Sequence, residues 1–309
     1  METKKKATRD GFGDAIAEVG AANKDVILVD IDIGKSCKTT KFSKSLPDQY
    51  INVGIAEQNG AGVAAGLATC GKIPYVVTYA AFGSMRICEM IRQEIAYPNL
   101  NVKIACSHGG VTPANDGASH QSIEDMGILR TIPNMTICMP ADYYSAKALV
   151  KASVDYYGPT YLRFTRDSID VIYDENDTFE IGKAKLLKDG RDVAIIANGD
   201  TVRLALKAAE ALSGKGIDAK VIDMHTIKPL DVDAVSACIN ECGKIITVED
   251  HNIMNGLGSA VAEVIAESGK AVLRTIGIQD QFGQSAPYER LLELNGITVE
   301  SIVSTAINL

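Results

Sequence analysis

Short runs of apolar, largely β-branched residues alternate with amphipathic stretches along most of this chain. Runs in which nearly every position is apolar are typical of strands buried on both faces of a sheet. In the first half of the chain the pattern predicts strands at residues 25–30, 73–78, 102–106, 135–139 and 160–165, and helices at 57–70, 82–97 and 141–156. This alternation predicts a parallel sheet covered by helices on both faces.

A polar, acidic stretch at residues 166–177 has no helical period and is typical of a linker. The alternation then resumes, with predicted strands at 192–198, 218–223, 244–248 and 271–276 and helices at 201–214, 231–241 and 259–268. We therefore expect an α/β protein with two doubly wound domains. The first domain is predicted at residues 1–170 and the second, smaller domain at 190–309, with a linker at 171–189.

Composition narrows the class of protein. The 309 residues, 46% of them hydrophobic, suffice for two domains that each bury a core. The net charge of −8 argues against binding to nucleic acid or to an anionic membrane surface. The N-terminal residues lack the pattern of a signal peptide, and no apolar run approaches the roughly 18 residues of a membrane span. The seven cysteines indicate free thiols in a reducing compartment, so we expect a cytoplasmic protein.

Four polar clusters stand at the ends of predicted strands, where ligands bind in open α/β sheets. They lie at residues 53–58, 78–82, 107–121 and 163–166. Together they would supply a carboxylate, two aromatic rings, two imidazoles and a guanidinium. That set of groups suits an aromatic cofactor beside an anionic, polar substrate.

Each cluster taken alone has a simpler explanation. Glu57 in a first helical turn could interact only with the helix dipole, and a ring pair such as Tyr79 and Phe82 is usually core. The glycine-rich loop with His108 and His120 is less easily explained by packing. Phosphate-loop, serine-hydrolase and zinc-protease motifs are absent from the sequence.

The clusters in this order resemble the transketolase family. The matching motifs are Gly54-Ile-Ala-Glu-Gln58, Tyr79-Ala-Ala-Phe82, Asp116-Gly-Ala-Ser-His-Gln121 and Arg163-Phe-Thr-Arg166. The likeness continues through Glu249-Asp-His-Asn and Asp280-Gln-Phe-Gly-Gln-Ser and so covers nearly the whole chain. The chain resembles the pyrimidine-binding and C-terminal domains of that family, which form the C-terminal section of two-chain transketolases.

The resemblance implies thiamine diphosphate as the cofactor, with Mg²⁺ bridging its diphosphate. The family holds that metal on a Gly-Asp-Gly motif followed by Asn-Asn, and this sequence contains neither. We therefore expect no metal site here and a partner, the N-terminal-section subunit, that holds the diphosphate and Mg²⁺. Because family active sites lie between domains of different protomers, the expected assembly is an α2β2 heterotetramer.

The resemblance also implies residue roles at the cofactor. Glu57 matches the catalytic glutamate that activates the cofactor aminopyrimidine. Tyr79 and Phe82 match rings that surround the pyrimidine, and Met85 stands where the family commonly has a further aromatic residue.

At the substrate, Asp116 matches a residue that binds a sugar hydroxyl. His108 and His120 match substrate-channel residues with catalytic roles, and Ser36 and Arg166 match the residues that hold the substrate anion. The implied reaction transfers a two-carbon ketol unit from an anionic ketose to an aldose.

Some choices stay open at this stage. The donor could be a pentose phosphate, apulose phosphate or sulfofructose, and Arg163 is an alternative residue for holding the anion. The β subunit of a 2-oxo-acid dehydrogenase and half of a deoxyxylulose-phosphate synthase are alternative enzymes, although Met85 stands where the latter has arginine. His225, His251 and residues 280–285 are expected to be structural or to form an interface.

Overall fold

The computed structural model describes residues 4–309, which form an α/β protein with two mostly parallel sheets, as the sequence predicts. In the first half the elements are β1 (Lys5–Lys6), α1 (Thr8–Ala22), β2 (Val26–Asp30), α2 (Thr40–Ser45), β3 (Tyr50–Asn52), α3 (Glu57–Thr69), β4 (Ile73–Tyr79), α4 (Cys88–Met90), β5 (Lys103–Ser107), α5 (Asp125–Arg130), β6 (Thr136–Cys138), α6 (Tyr143–Asp155), β7 (Thr160–Arg163) and β8 (Ile169–Asp170). In the second half they are β9 (Lys185–Lys188), β10 (Val193–Ala197), α7 (Val202–Ser213), β11 (Ala219–Asp223), β12 (Thr226–Lys228), α8 (Val232–Glu241), β13 (Lys244–Asn252), α9 (Leu257–Ser268), β14 (Val272–Ile278), α10 (Tyr288–Leu294) and α11 (Val299–Ile307).

The first sheet has the strand order β12-β6-β7-β5-β4-β2-β3. All neighbours from β6 to β3 are parallel, and β12 pairs antiparallel with β6. Every residue of β2, β5 and β7 is buried, which explains why these strands show no alternation of apolar and polar positions. Because the strands from β6 to β3 are parallel, their carboxyl ends meet at one edge of the sheet.

The second sheet has the order β14-β13-β10-β11-β9, parallel except for β9. Strand β9 lies within the stretch predicted as a linker, and β12 belongs to the first sheet although it comes from the second half of the chain. Asp142, which caps α6, also accepts hydrogen bonds from the Ile172 and Tyr173 amides at 2.8 Å each. The start of the connecting segment is thus held against α6 by hydrogen bonds.

The segment predicted as a helix at residues 82–97 is helical but not a regular α-helix. Two π-helical segments, Phe82–Arg86 and Ile91–Ala96, flank the short α4. The Ser84 hydroxyl donates to the Ala80 carbonyl at 2.7 Å and so competes with the backbone ladder. Such π-helical turns occur frequently at functional sites.

A buried arginine joins the two halves behind the first sheet. The Arg163 Nε donates to Asp125 Oδ2 at 2.7 Å, and both side chains are fully buried. Its Nη2 donates to the carbonyls of Ser122, at 2.8 Å, and Asp250, at 3.0 Å. Burial alone would lower the pKa of Arg163, but the carboxylates of Asp125 and Asp250 outweigh burial and raise it. Arg163 is therefore a structural residue and not the alternative anion-binding residue that the sequence left open.

Among residues 4–309, no helix is long and apolar enough to span a bilayer.

We expect Arg163→Met to destabilise the protein by about 3–5 kcal/mol, because it leaves the buried Asp125 carboxylate without its cation. Thermal and urea unfolding would measure the change. Arg166→Met is the matched control, since Arg166 lies three residues further on and is partly exposed; its effect on stability is expected to be below about 1 kcal/mol. Equal stability of the two variants would contradict a structural role for Arg163.

Candidate active site

The carboxyl edge of the first sheet brings the predicted polar clusters together. Tyr79 and Ser107 are register partners at the ends of β4 and β5, and Cys106 pairs with Arg163 on β7. The residue after Ser107 is His108, and Arg166 follows three residues after β7 ends. Positions far apart in sequence thus lie side by side because the strands are parallel and in register.

Glu57 is the first residue of α3 and is only 5% exposed. A carboxylate at this position interacts favourably with the positive end of the helix dipole. Its Oε2 lies 3.6 Å from Arg86 Nη1, longer than a normal hydrogen bond. The carboxyl group therefore keeps capacity for a hydrogen bond to a ligand.

Four rings form a cluster that Arg86 links to this carboxylate, since its guanidinium also lies 5.5 Å from the Phe82 ring centroid. The centroid of Tyr79 lies 3.8 Å from that of His108, 6.2 Å from that of Phe82 and 6.1 Å from that of His120. Phe82 and His120 meet edge-on at 5.7 Å. Met85 belongs to the same π-helical segment as Phe82 and is 45% exposed. These apolar faces and edges can hold the plane of an aromatic ligand at low entropic cost.

His108 is held rigidly within that cluster. Its backbone has a φ of +66°, and its Nδ1 lies 2.7 Å from the Ser107 hydroxyl. Burial, together with the positive charges of Arg9 and Arg166, lowers the pKa of His108 to about 3. The imidazole is therefore neutral near pH 7 and can exchange hydrogen bonds without carrying charge.

Two guanidinium groups, Arg9 and Arg166, lie near the ring cluster, since both act on the pKa of His108. Arg166 Nη1 donates to the Pro113 carbonyl at 2.6 Å and lies 3.5 Å from Asp116 Oδ2. Arg9 Nη1 donates to the Ser36 carbonyl at 2.9 Å, so Ser36 enters the arrangement through its backbone. Burial and the proximity of Arg166 lower the pKa of Arg9, although Asp10 acts in the opposite direction. Two neighbouring cations of this kind suit a divalent anion.

Sequence reasoning missed Arg9 and Arg86. Arg86 lies four residues after Phe82, and its guanidinium is 5.5 Å from the Phe82 ring centroid. Residues at i and i+4 on a helix are neighbours, so this spacing could have predicted the contact from the sequence. Arg9 gave no local signal. It reaches the site because the Thr8 hydroxyl accepts from the Thr165 amide at 2.6 Å, which fixes the start of α1 against the end of β7.

The second-domain histidines lie apart from the ring cluster. His251 is fully buried, accepts from the Gly127 amide at 3.2 Å and lies 3.9 Å from Asp125. His225 is buried with its ring 5.2 Å from that of Phe179. In the part of the chain that the structure describes, no group of three or more His, Cys, Asp or Glu is placed to hold a metal ion.

Both halves of the chain match family models. Residues 4–171 match the transketolase pyrimidine-binding domain, and residues 182–302 match the transketolase C-terminal domain. The pyrimidine is part of thiamine diphosphate, so membership of this family implies that cofactor. The site residues fit it, since they combine a buried carboxyl group with an aromatic wall.

Several proteins are similar over almost the full length. The chain is 46% identical to a putative transketolase C-terminal section of Methanocaldococcus jannaschii, covering 96% of this chain and 94% of that protein. It is 41% identical to one of the subunits of an apulose-4-phosphate transketolase of Phocaeicola vulgatus, covering 97% and 96%. A solved structure described as a split-gene transketolase, inactive β4 tetramer, is 40% identical, covers 99% of this chain and 98% of its own, and superposes with a TM-score of 0.90. The chain therefore belongs to the transketolase family, and its two domains are those of the C-terminal section of a split transketolase.

Proposed function

We propose that this chain is the subunit of a thiamine-diphosphate-dependent transketolase that activates the cofactor and binds the sugar. The observation that carries the proposal is the buried Glu57 carboxyl group, which is linked to the ring cluster by Arg86, 3.6 Å from the carboxylate and 5.5 Å from the Phe82 ring centroid. When bound, the cofactor supplies the electron sink for breaking the bond next to a ketose carbonyl. The reaction would move a two-carbon ketol unit from an anionic ketose to an aldose.

Glu57 would hold a proton in a hydrogen bond with the ring nitrogen N1′ of the aminopyrimidine. By holding a proton at that nitrogen, Glu57 would act as the acid–base group that activates the bound cofactor. Tyr79 and Phe82 would fix the plane of the pyrimidine, and Met85 would cover its exposed side. Arg86, 3.6 Å from the carboxyl group, would keep Glu57 in place.

The polar side chains at the same edge would bind the sugar. Asp116 would accept a hydrogen bond from a hydroxyl, and His120 would lie nearer the anionic end. His108, neutral near pH 7, would exchange hydrogen bonds with the reacting oxygens and assist proton transfer. Arg166, together with Ser36 and the newly identified Arg9, would hold the anion, and this remote binding energy would position the reacting carbons.

The diphosphate and Mg²⁺ would be held by a partner, the N-terminal-section subunit, in an α2β2 heterotetramer. The sequence has no Gly-Asp-Gly followed by Asn-Asn, which supports this division. The relative of Phocaeicola vulgatus is named as one of several subunits. A solved relative, described as a tetramer of β chains of a split-gene transketolase, is described as inactive. Residues 1–170 would then form the cofactor half-site, and residues 190–309 the second domain beyond the linker.

The donor would be a ketose with a phosphate or similar tetrahedral anion at its far end. The relative of Phocaeicola vulgatus is named for apulose 4-phosphate, a sugar phosphate. Two guanidinium groups near each other provide planar, multiple hydrogen bonds that match such oxygens.

Glu57→Gln is expected to reduce kcat of the reconstituted enzyme by about 100- to 10,000-fold, because the amide cannot give up a proton to N1′. Steady-state assays of two-carbon transfer would measure this. Glu89→Gln, which neutralises an exposed carboxylate on α4, is the matched control and should leave kcat unchanged. A Glu57→Gln enzyme with full activity would exclude the proposed role, provided that thermal unfolding shows both variants folded.

Arg166→Met should raise KM for the anionic ketose by about 10- to 100-fold, the effect of losing one charged hydrogen bond. The same ketose without its anionic group should be used equally well by both enzymes, which gives an internal control. If KM rose equally for the two sugars, Arg166 would not act on the anion.

His108 is expected to remain neutral from pH 8 down to pH 5, because its pKa is lowered from the ordinary 6.5 to about 3. The pKa of His108 is lower in the folded state than in the unfolded state, so protonation favours unfolding. The contribution of His108 to the free energy of unfolding therefore decreases as the pH falls from about 6.5 towards 3. Nitrogen-15 NMR of the imidazole, assigned with His108→Gln, would show constant ring shifts over pH 5–8. A midpoint near 6.5 would contradict the prediction.

A further inference from the structure

The second domain contacts the substrate-binding loop directly. The loop of residues 113–121 carries Asp116 and His120, and the segment of residues 280–285 follows β14 of the second sheet. The Gln121 Nε2 donates to the Gln284 carbonyl at 2.8 Å, and the Ser285 hydroxyl donates to the Asn115 carbonyl at 2.6 Å. These bonds span more than 160 positions of sequence and lie on either side of Asp116 and His120.

The fit between the two segments is close. Gln121 is only 4% exposed, and a Cβ atom built on Gly283 would lie 1.5 Å from its Oε1. No side chain larger than hydrogen can stand at position 283 while the Gln121 amide keeps this place. Gly283 has no positive φ, so the glycine is required here by space and not by backbone conformation.

The loop is fixed on its opposite side by the first domain. Arg166 Nη1 donates to the Pro113 carbonyl at 2.6 Å, and its guanidinium lies 3.5 Å from Asp116. Residues 113–121 are therefore held between a guanidinium at the end of the first sheet and a segment of the second domain. Without the second contact, the polar side chains of the loop would be held from one side only.

We propose that residues 283–285 act as a positioning clamp for the substrate-binding loop, so that the second domain takes part in sugar binding without touching cofactor or substrate. This rests on the proposed function, because it assigns Asp116 and His120 to the sugar. A displacement of about 1 Å in such groups can cost up to about 100-fold in rate or binding. The clamp gives residues 280–285, expected from sequence to be structural or interfacial, a role in substrate affinity.

Gly283→Ala tests the clamp, since the new methyl group must displace the Gln121 amide from the Gln284 carbonyl. In the reconstituted enzyme we expect KM for the anionic ketose to rise about tenfold, with kcat, thiamine diphosphate affinity and melting temperature nearly unchanged. Gln284→Ala is the matched control, because Gln284 contributes its backbone carbonyl and its side chain is exposed. It should leave KM unchanged.

A double variant separates the clamp from a general disturbance of the second domain. Gln121→Ala alone should raise KM to the same extent, and adding Gly283→Ala to it should cause no further change, since the two substitutions break one contact. Additive increases, or a Gly283→Ala enzyme with the KM of Gln284→Ala, would overturn the proposal.

Hydrogen exchange of the chain alone gives a readout independent of activity. Amides of residues 113–121 should exchange faster in Gly283→Ala than in Gln284→Ala, with β2 and β5 unchanged. Equal exchange in the two variants would also overturn the clamp. If the wild-type complex transferred no two-carbon unit from any ketose, the proposed function would fail, and exchange would still decide whether the clamp exists.

Discussion

The buried ion pair of Arg163 and Asp125 is the constraint on which the site depends. A buried guanidinium needs hydrogen-bond acceptors in place of water, and Arg163 finds them in both halves of the chain, at Asp125 and Ser122 in the first and at Asp250 in the second. The loop that carries His108 lies directly on this network. A Cβ at Gly109 would lie 2.7 Å from Arg163 Nε, and one at Gly110 would fall within 2 Å of the Asp250 carboxylate. Both positions therefore require glycine, and the backbone of the loop that carries His108 is placed by charges buried beneath it.

Asp250 extends the same constraint into the second domain. Its two carboxylate oxygens accept from the Val111 amide at 3.1 and 3.0 Å, next to the glycines. Burial, together with the neighbouring Asp200, raises the pKa of Asp250. Asp250 on β13 thus binds Val111, just before the loop of residues 113–121, while residues 283–285 contact that loop itself. On the proposed function, the second domain would define where the substrate-binding residues lie, although it supplies none of them.

Large apolar side chains remain exposed around the same edge. Ile55, two residues before Glu57, is 80% exposed, and Phe282, one residue before the proposed clamp, is 81% exposed. Met85, in the same π-helical segment as Phe82, is 45% exposed. Exposed apolar side chains of this size are suited to burial against another protein. On the proposed function, that protein would be the partner chain that completes the site at Glu57.

The sequence by itself determined the α/β class and most strands, because strands buried on both faces are largely apolar, as residues 26–29 of β2 and 104–106 of β5 are. It also brought Glu57, Tyr79, His108 and Arg166 to one edge, since parallel strands align their carboxyl ends. Their roles come from family resemblance and stay predictions. The helix predicted at residues 82–97 is present, but the pattern did not show that two of its segments are π-helical, near where the Ser84 side chain competes with the backbone.

Only the tertiary structure decided which of two arginines in one motif is buried. The sequence placed Arg163 inside the predicted strand 160–165 and left it as an alternative to Arg166, but only the structure shows that Arg163 faces the buried Asp125, whereas Arg166 lies past the strand end. Tertiary structure also decided that Arg9 joins the site, that β12 completes the first sheet and that residues 283–285 hold the loop. Each depends on contacts between segments far apart in the chain, and local residue patterns carry no information about which distant segments will meet.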